Sequence, residues 1–151
     1  MQTPESESVV TEQDTVTEPL LSVQDLQTYF FTDEGTVKAV DGASFDVYAG
    51  QTLGIVGESG CGKSITAKSI LQIIDRPGRI IGGQVKFSPD GAAVHNLLEL
   101  EPNGPEIRSI RGGEISMIFQ EPMTSFSPIH TFGNQIIEAI RLHSSLDKIE
   151  A

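Results

Sequence analysis

Basic residues are scarce in this chain. Its 151 residues hold 10 lysines and arginines against 21 aspartates and glutamates, a formal net charge of −11. No stretch gathers lysine and arginine into a stripe, which argues against a nucleic-acid partner. The acidic balance does not exclude a small anionic ligand. Charges beyond about 8 Å are largely screened at physiological salt, so local donors decide affinity. Cysteine occurs once, at Cys61. It can form no intrachain disulfide, which suits a reducing compartment. No apolar run approaches the ~20 residues needed to span a bilayer. The N-terminus lacks a basic n-region and an apolar h-region, so it does not read as a secretory signal. The length suits one domain, burying on the order of 70% of its unfolded surface.

Met1 to Pro19 is rich in Ser, Thr and Glu and has no Lys or Arg. Carrying Glu5, Glu7, Glu12, Asp14 and Glu18, residues 1–19 read as a disordered acidic tail. A passive solvated tail is the plainer reading and a docking segment the alternative. Residues 20–151 are expected to fold. Leu20 to Phe31, with Leu21, Val23 and Leu26 apolar, reads as a strand. Val37 to Val47, with Val40, Phe45 and Val47, reads as a second strand interrupted near Asp41-Gly42. The turn Asp33-Glu34-Gly35 between them suggests an antiparallel hairpin.

Leu53-Gly54-Ile55-Val56 is a short apolar run, as expected of a buried parallel strand. Ile65 to Ile74 shows a helical stripe of Ala67, Ile70, Leu71 and Ile74. Pro77-Gly78 breaks the chain, and Gly82 to Phe87 reads as another strand. Turn signals make Ser88 to Pro105 loops or a hairpin around Leu97-Leu98, and Glu106 to Ile110 reads as one helical turn. Ile115 to Phe119 is mostly apolar and reads as a buried strand ending at Gln120. Glu121 to His130 contains Pro122 and Pro128 and is expected to be irregular. Asn134 to Ser144 resumes helical spacing through Ile136, Ile137 and Ile140.

Between the first apolar run and the first helix lies Gly57-Glu58-Ser59-Gly60-Cys61-Gly62-Lys63-Ser64. It fits G-x-x-x-x-G-K-[ST], the phosphate-binding P-loop, in the strand–loop–helix context the pattern requires. A triphosphate needs several N–H donors converging on its oxygens. Glycines at 57, 60 and 62 let the backbone curl around it. A helix starting near Lys63 aims its free N–H groups and positive dipole end at the same place. The Lys63 ammonium should reach the β- and γ-phosphates and the Ser64 hydroxyl should ligate Mg²⁺.

The P-loop together with Ile118-Phe119-Gln120-Glu121-Pro122-Met123-Thr124-Ser125 resembles the ATP-binding subunit of an ABC transporter, in the dipeptide/oligopeptide importer branch. Further matches are Val40-Asp41 ahead of Phe45, Leu53 to Ser59, Ile110-Arg111-Gly112 and Gly133-Asn134-Gln135. The likeness runs from about Leu20 to the last residue. It implies an α/β fold, a partial P-loop core with an antiparallel β-subdomain, residues 20–151 being the N-terminal part of the ATP-binding domain without its helical subdomain. It also implies ATP and Mg²⁺ as ligands, contacted by Gly57, Glu58, Ser59, Gly60, Cys61, Gly62, Lys63, Ser64 and Ile65.

Gln120 stands where the family places its Q-loop glutamine, which helps hold Mg²⁺ and the attacking water. With Lys63 it is the implied catalytic pair, and with Ser64 the implied metal pair. A polar side chain at the end of a strand beside the P-loop strand agrees with that role. A solvated strand-end glutamine is the alternative. Phe30 best matches the aromatic that stacks on adenine, with Tyr29 and Phe31 one residue away; a core ring is its other reading. Glu121 to Phe132 would contact membrane subunits, though an ordinary loop accounts for it nearly as well. A second ATP-binding subunit is the other implied partner, and the cytoplasmic face of the membrane the implied location.

The sequence departs from the family in lacking the L-S-G-G-Q signature, the Walker B strand with its catalytic Glu, and the switch His. Ile81-Gly82-Gly83-Gln84 lacks the Ser and lies before the Q-loop, so it reads as a decoy. His95, His130 and His143 read as ordinary surface histidines, and Cys61 is assigned no redox chemistry. Phe126-Ser127 and Ile65 are smaller departures. The expectation is a peptide-importer ATPase in the intact subunit, with little or no turnover and marginal stability in this stretch alone. The alternative is a non-enzymatic nucleotide- or transporter-binding module.

Overall fold

The computed structural model describes residues 18–91, 93–120 and 126–143, with only the backbone of His143. The acidic tail before Glu18, Glu121 to Ser125 and the C-terminal Ser144 to Ala151 lie outside the described residues. The elements are β1 (Leu21–Thr32), β2 (Gly35–Val47), α1 (Lys63–Ile70), β3 (Gly78–Phe87), β4 (His95–Asn96), a 3-10 turn at Leu97–Glu99, α2 (Pro105–Gly113) and α3 (Phe132–His143). One antiparallel sheet runs in the order β2-β1-β3-β4. Among the described residues no helix is long and apolar enough to cross a membrane.

The hairpin forms where the sequence suggests, with Leu21 opposite Val47 and Thr32 opposite Gly35. The Thr32 hydroxyl donates to the Gly35 carbonyl at 2.9 Å and fastens the turn. One feature of β1 breaks simple alternation. Val23 and Leu26 are three residues apart yet both are fully buried. A bulge at Asp25, with φ +48°, explains it. The extra residue switches strand parity, so Leu26 and Thr28 turn inward. Gly83 lies against the bulge with φ +98°, where a Cβ would stand 2.6 Å from the Asp25 carbonyl oxygen. The core comprises Val23, Leu26, Val40, Val85, Phe87, Leu97, Ile107 and Ile110, so it sits between the sheet and α2.

Three expectations are corrected. Leu53 to Val56 is not a strand: it is irregular and exposed, with Val56 92% accessible. Ile115 to Phe119 is irregular too, apart from one bridge between Ile115 and Arg111, and Ile118 is 92% accessible. A parallel strand holds only with a neighbouring strand to share its hydrogen bonds and helices over its faces. Among the described residues, apart from the Ile115 bridge, nothing pairs with either run. Third, the first helix ends at Ile70 rather than Ile74. Gln72 adopts φ +52°, Ile73 N–H donates to the Lys68 carbonyl at 2.9 Å, and Gln72 N–H donates to the Ser69 carbonyl at 3.0 Å. This is a Schellman stop with glutamine in the position that glycine usually takes.

Candidate nucleotide-binding site

Helix α1 lies on the sheet through a mixed face, on which Ile65 and Ile70 pack against the core beside two polar residues. Its buried residues are Thr66 and Ser69. The Ser69 hydroxyl donates to the Ile65 carbonyl at 2.7 Å, and it lies 2.7 Å from the Thr28 hydroxyl on β1. Its one proton is committed to Ile65, so Thr28 is the donor and Ser69 the acceptor between strand and helix. At the other end, Gly62 caps α1 with φ +90°. A Cβ there would stand 2.2 Å from the Ala39 carbonyl oxygen of β2. Only glycine allows both that dihedral and that approach. The two contacts fix where the helix N-terminus points.

Gly57 to Cys61 form an exposed loop ahead of that N-terminus. Gly60 has φ +84° and open space where a Cβ would stand. The Lys63 ammonium curls back over the loop, donating to the carbonyls of Gly57 at 2.8 Å and Glu58 at 2.7 Å. It also lies 3.4 Å from the Cys61 sulfur. A cavity of about 400 Å³ opens there, lined by Ser59, Gly60, Gly62, Lys63, Ser64, Ile65 and Gln120. First-turn N–H groups of a helix have no intrahelical acceptor, so those of Lys63, Ser64 and Ile65 face this end.

Gln120 therefore reaches the loop although the strand expected to carry it is absent among the described residues. Lys63 supplies a cation, Ser64 a hydroxyl and Gln120 an amide, around a backbone shaped by glycine. This donor set suits a phosphate chain, and the hard oxygens of Ser64 and Gln120 are of the kind that could hold Mg²⁺.

Phe30 is not among the lining residues. It is half-buried, and its ring and Ile74 close over Gly78, where a Cβ would stand 2.7 Å from ring atom Cε1. Phe31 turns outward beside a separate hollow lined by Arg76, Pro77, Gly78 and Arg79. Tyr29 donates to Asp41, which also pairs with Lys38 at 3.2 Å. His95 and His130 are exposed, and His95 lies 3.7 Å from Glu106.

A residue not assigned a role from sequence supports the site from behind. The Arg111 guanidinium donates through Nε to the Leu71 carbonyl at 2.7 Å and through Nη2 to the Gln72 carbonyl at 3.0 Å. Burial, and secondarily the charge of Arg108, lowers its pKa from the usual guanidinium range. No local pattern announces this contact, because it joins residues about forty positions apart.

A glycine loop closing on a helix N-terminus, with lysine and serine at its first positions, defines a P-loop nucleotide-binding protein. The chain belongs to the ABC transporter family, whose model matches residues 40–150. It is 47% identical over 133 residues to a probable peptide ABC transporter ATP-binding protein of Sinorhizobium fredii, covering 87% of this chain and 38% of that protein. It is 45% identical over 132 residues to the dipeptide transport ATP-binding protein DppD of Bacillus subtilis, covering 87% of this chain and 37% of that protein. It is 46% identical over 132 residues to the oligopeptide transport ATP-binding protein OppD of Escherichia coli, again covering 87% and 37%. The chain thus spans under two-fifths of the length of these relatives.

Proposed function

We propose that this chain binds the triphosphate of ATP with Mg²⁺ at its P-loop, and that the longer protein it corresponds to hydrolyses ATP to drive peptide uptake. The observation that carries the reading is the meeting of Lys63, Ser64 and Gln120 in one cavity at the α1 N-terminus. Lys63 exchanges its carbonyl partners for phosphate oxygens. The loop from Gly57 to Gly62 and the first-turn N–H groups, including that of Ile65, cradle the anion. Ser64 and Gln120 supply oxygen to the metal, and Phe30 is the residue proposed to meet the base. Bound Mg²⁺ would neutralise charge on the phosphates. The names of the relatives support peptides as cargo.

The proposed partners are membrane subunits and a second ATP-binding subunit, at the cytoplasmic face of the membrane. The exposed segment from Phe126 to Phe132 supports the first of these. Ile129 is 83% accessible, and Phe126 and Phe132 meet edge to face at 5.0 Å. The Gln135 side chain holds this turn through Ser127 and His130. A preformed apolar knob of this kind suits docking.

A second reading, nucleotide binding without turnover, is favoured by the lining of the cavity. Among the described residues it holds a cation, hydroxyls and an amide, and no carboxylate to polarise water. Titration of the purified chain with ATP tests both readings. Lys63→Ala should weaken binding about 10- to 100-fold, the worth of charge-assisted hydrogen bonds. Equal affinity would overturn the site. Steady hydrolysis abolished by Lys63→Ala would overturn the second reading.

A further inference from the structure

Helix α2 contains a sharp change of direction. Arg111 has ψ 115° and Gly112 φ +82°, so the regular turns end at Ile110. The chain then folds back on itself. Ile115 N–H donates to the Ile110 carbonyl at 2.9 Å, Gly112 N–H donates to the Ile115 carbonyl at 2.9 Å, and Ile115 bridges Arg111. From this knot the chain runs without regular structure to Gln120. Five residues reach at most about 17 Å, enough for the length of α1. Helix α1, eight residues long, is about 12 Å in length. The run from Ile115 thus spans α1 from its C-terminal end, where Arg111 is bound, to its N-terminal end, where Gln120 lines the cavity.

We propose that Arg111 is a positioning residue for Gln120. Its guanidinium ties the start of the Gln120 segment to the C-terminal end of the P-loop helix, and so sets where the amide falls beside Ser64. Three observations carry this. The Schellman bonds of α1 take the carbonyls of Lys68 and Ser69, so Arg111 grips two carbonyls that lie beyond the helix's own bonding. It takes two successive carbonyls, Leu71 and Gln72, through two nitrogens, a fork that a lysine ammonium lacks. The Gln72 side chain is itself anchored to the carbonyls of Leu97 and Leu100. The point that Arg111 grips is therefore fixed from a third direction.

The inference rests on the proposed nucleotide reading, and one titration set separates the two. ATP affinity is measured by calorimetry with Mg²⁺ and with EDTA, for the unmodified chain, Arg111→Ala, Arg111→Lys, Gln120→Ala and Arg111→Ala/Gln120→Ala, with a thermal melt of each. Arg111→Ala should cut the Mg²⁺-dependent tightening about 5- to 10-fold, the size of one lost ligand interaction. Metal-free affinity should stay within about twofold, since Lys63 and the loop N–H groups are untouched. The double variant should be no weaker than Gln120→Ala alone. Arg111→Lys keeps the cation and its stem but not the fork, and should show the same loss in smaller degree.

Equal weakening with and without metal, additive effects in the double variant, or an Arg111→Lys protein identical to the unmodified chain would overturn the proposal. An unmodified chain that binds no ATP would overturn the site reading itself, and the proposal with it.

Discussion

Replacing Ser69 with alanine tests the hydroxyl pair that seats the P-loop helix on the sheet. Thr28 and Ser69 are both wholly buried. Ser69 donates to Ile65, so Thr28 donates to Ser69. Ser69→Ala leaves the Thr28 proton buried without an acceptor, a cost of about 1–3 kcal/mol. Alanine returns up to about 0.5 kcal/mol through helix propensity. The net loss should be about 0.5–2.5 kcal/mol, or roughly 1–10 °C in melting temperature for a chain of this size. Thr28→Val is the counterpart. Valine matches threonine in shape, and Ser69 keeps its bond to Ile65, so the loss should stay under about 1 kcal/mol. The double variant should cost no more than Thr28→Val, because neither partner is then left with an unmet donor. Urea unfolding followed by circular dichroism, with unchanged m-value, measures all three. A Ser69→Ala loss no larger than that of Thr28→Val, or a double variant equal to the sum, would refute the assigned direction of the bond.

Two glycines of the loop should separate backbone strain from steric clash. Gly60→Ala meets open space at φ +84° and should cost about 1–2 kcal/mol, while Gly62→Ala adds a collision with the Ala39 carbonyl and should cost more than about 3 kcal/mol; equal costs in urea unfolding would contradict the packing of α1 on β2. The Tyr29 phenol should titrate above its ordinary value of 10.0, because Asp41 accepts its hydrogen bond and would repel the phenolate. An absorbance titration should show this component lost in Tyr29→Phe and moved downward in Asp41→Asn. The sign follows: the stabilisation by Tyr29 is present below pH 10 and is lost as pH rises through its raised value, whereas Asp41, lowered first by Tyr29 and then by Lys38, contributes above the usual carboxylate range and loses that contribution in acid. Cys61 is exposed in the loop beside Lys63. Bound ATP should slow its alkylation at least about tenfold, as a site occupied nine-tenths of the time requires; an unchanged rate at saturating ATP would place the ligand elsewhere.

What the sequence by itself determined is what lies in contiguous residues. The P-loop, the Asp33-Glu34-Gly35 hairpin and the helical spacing after Asn134 are each written within a dozen positions, where dihedral preference and periodicity act. The family likeness that accompanied them agrees with the match over residues 40–150. Tertiary structure decided the rest. The bulge at Asp25 turned Leu26 inward against the strand period. Thr66 and Ser69 of α1 were buried beside Ile65 and Ile70 because Gly62 and Ser69 permit a close approach to β2 and β1, from partners 23 and 41 positions distant. Leu53 to Val56 and Ile115 to Phe119 are apolar enough for strands, but a strand exists only where another chain segment accepts its hydrogen bonds, and composition cannot supply that partner. Gln120 meets the P-loop by the same logic, through a path anchored at Arg111, whose partners Leu71 and Gln72 lie about forty residues earlier.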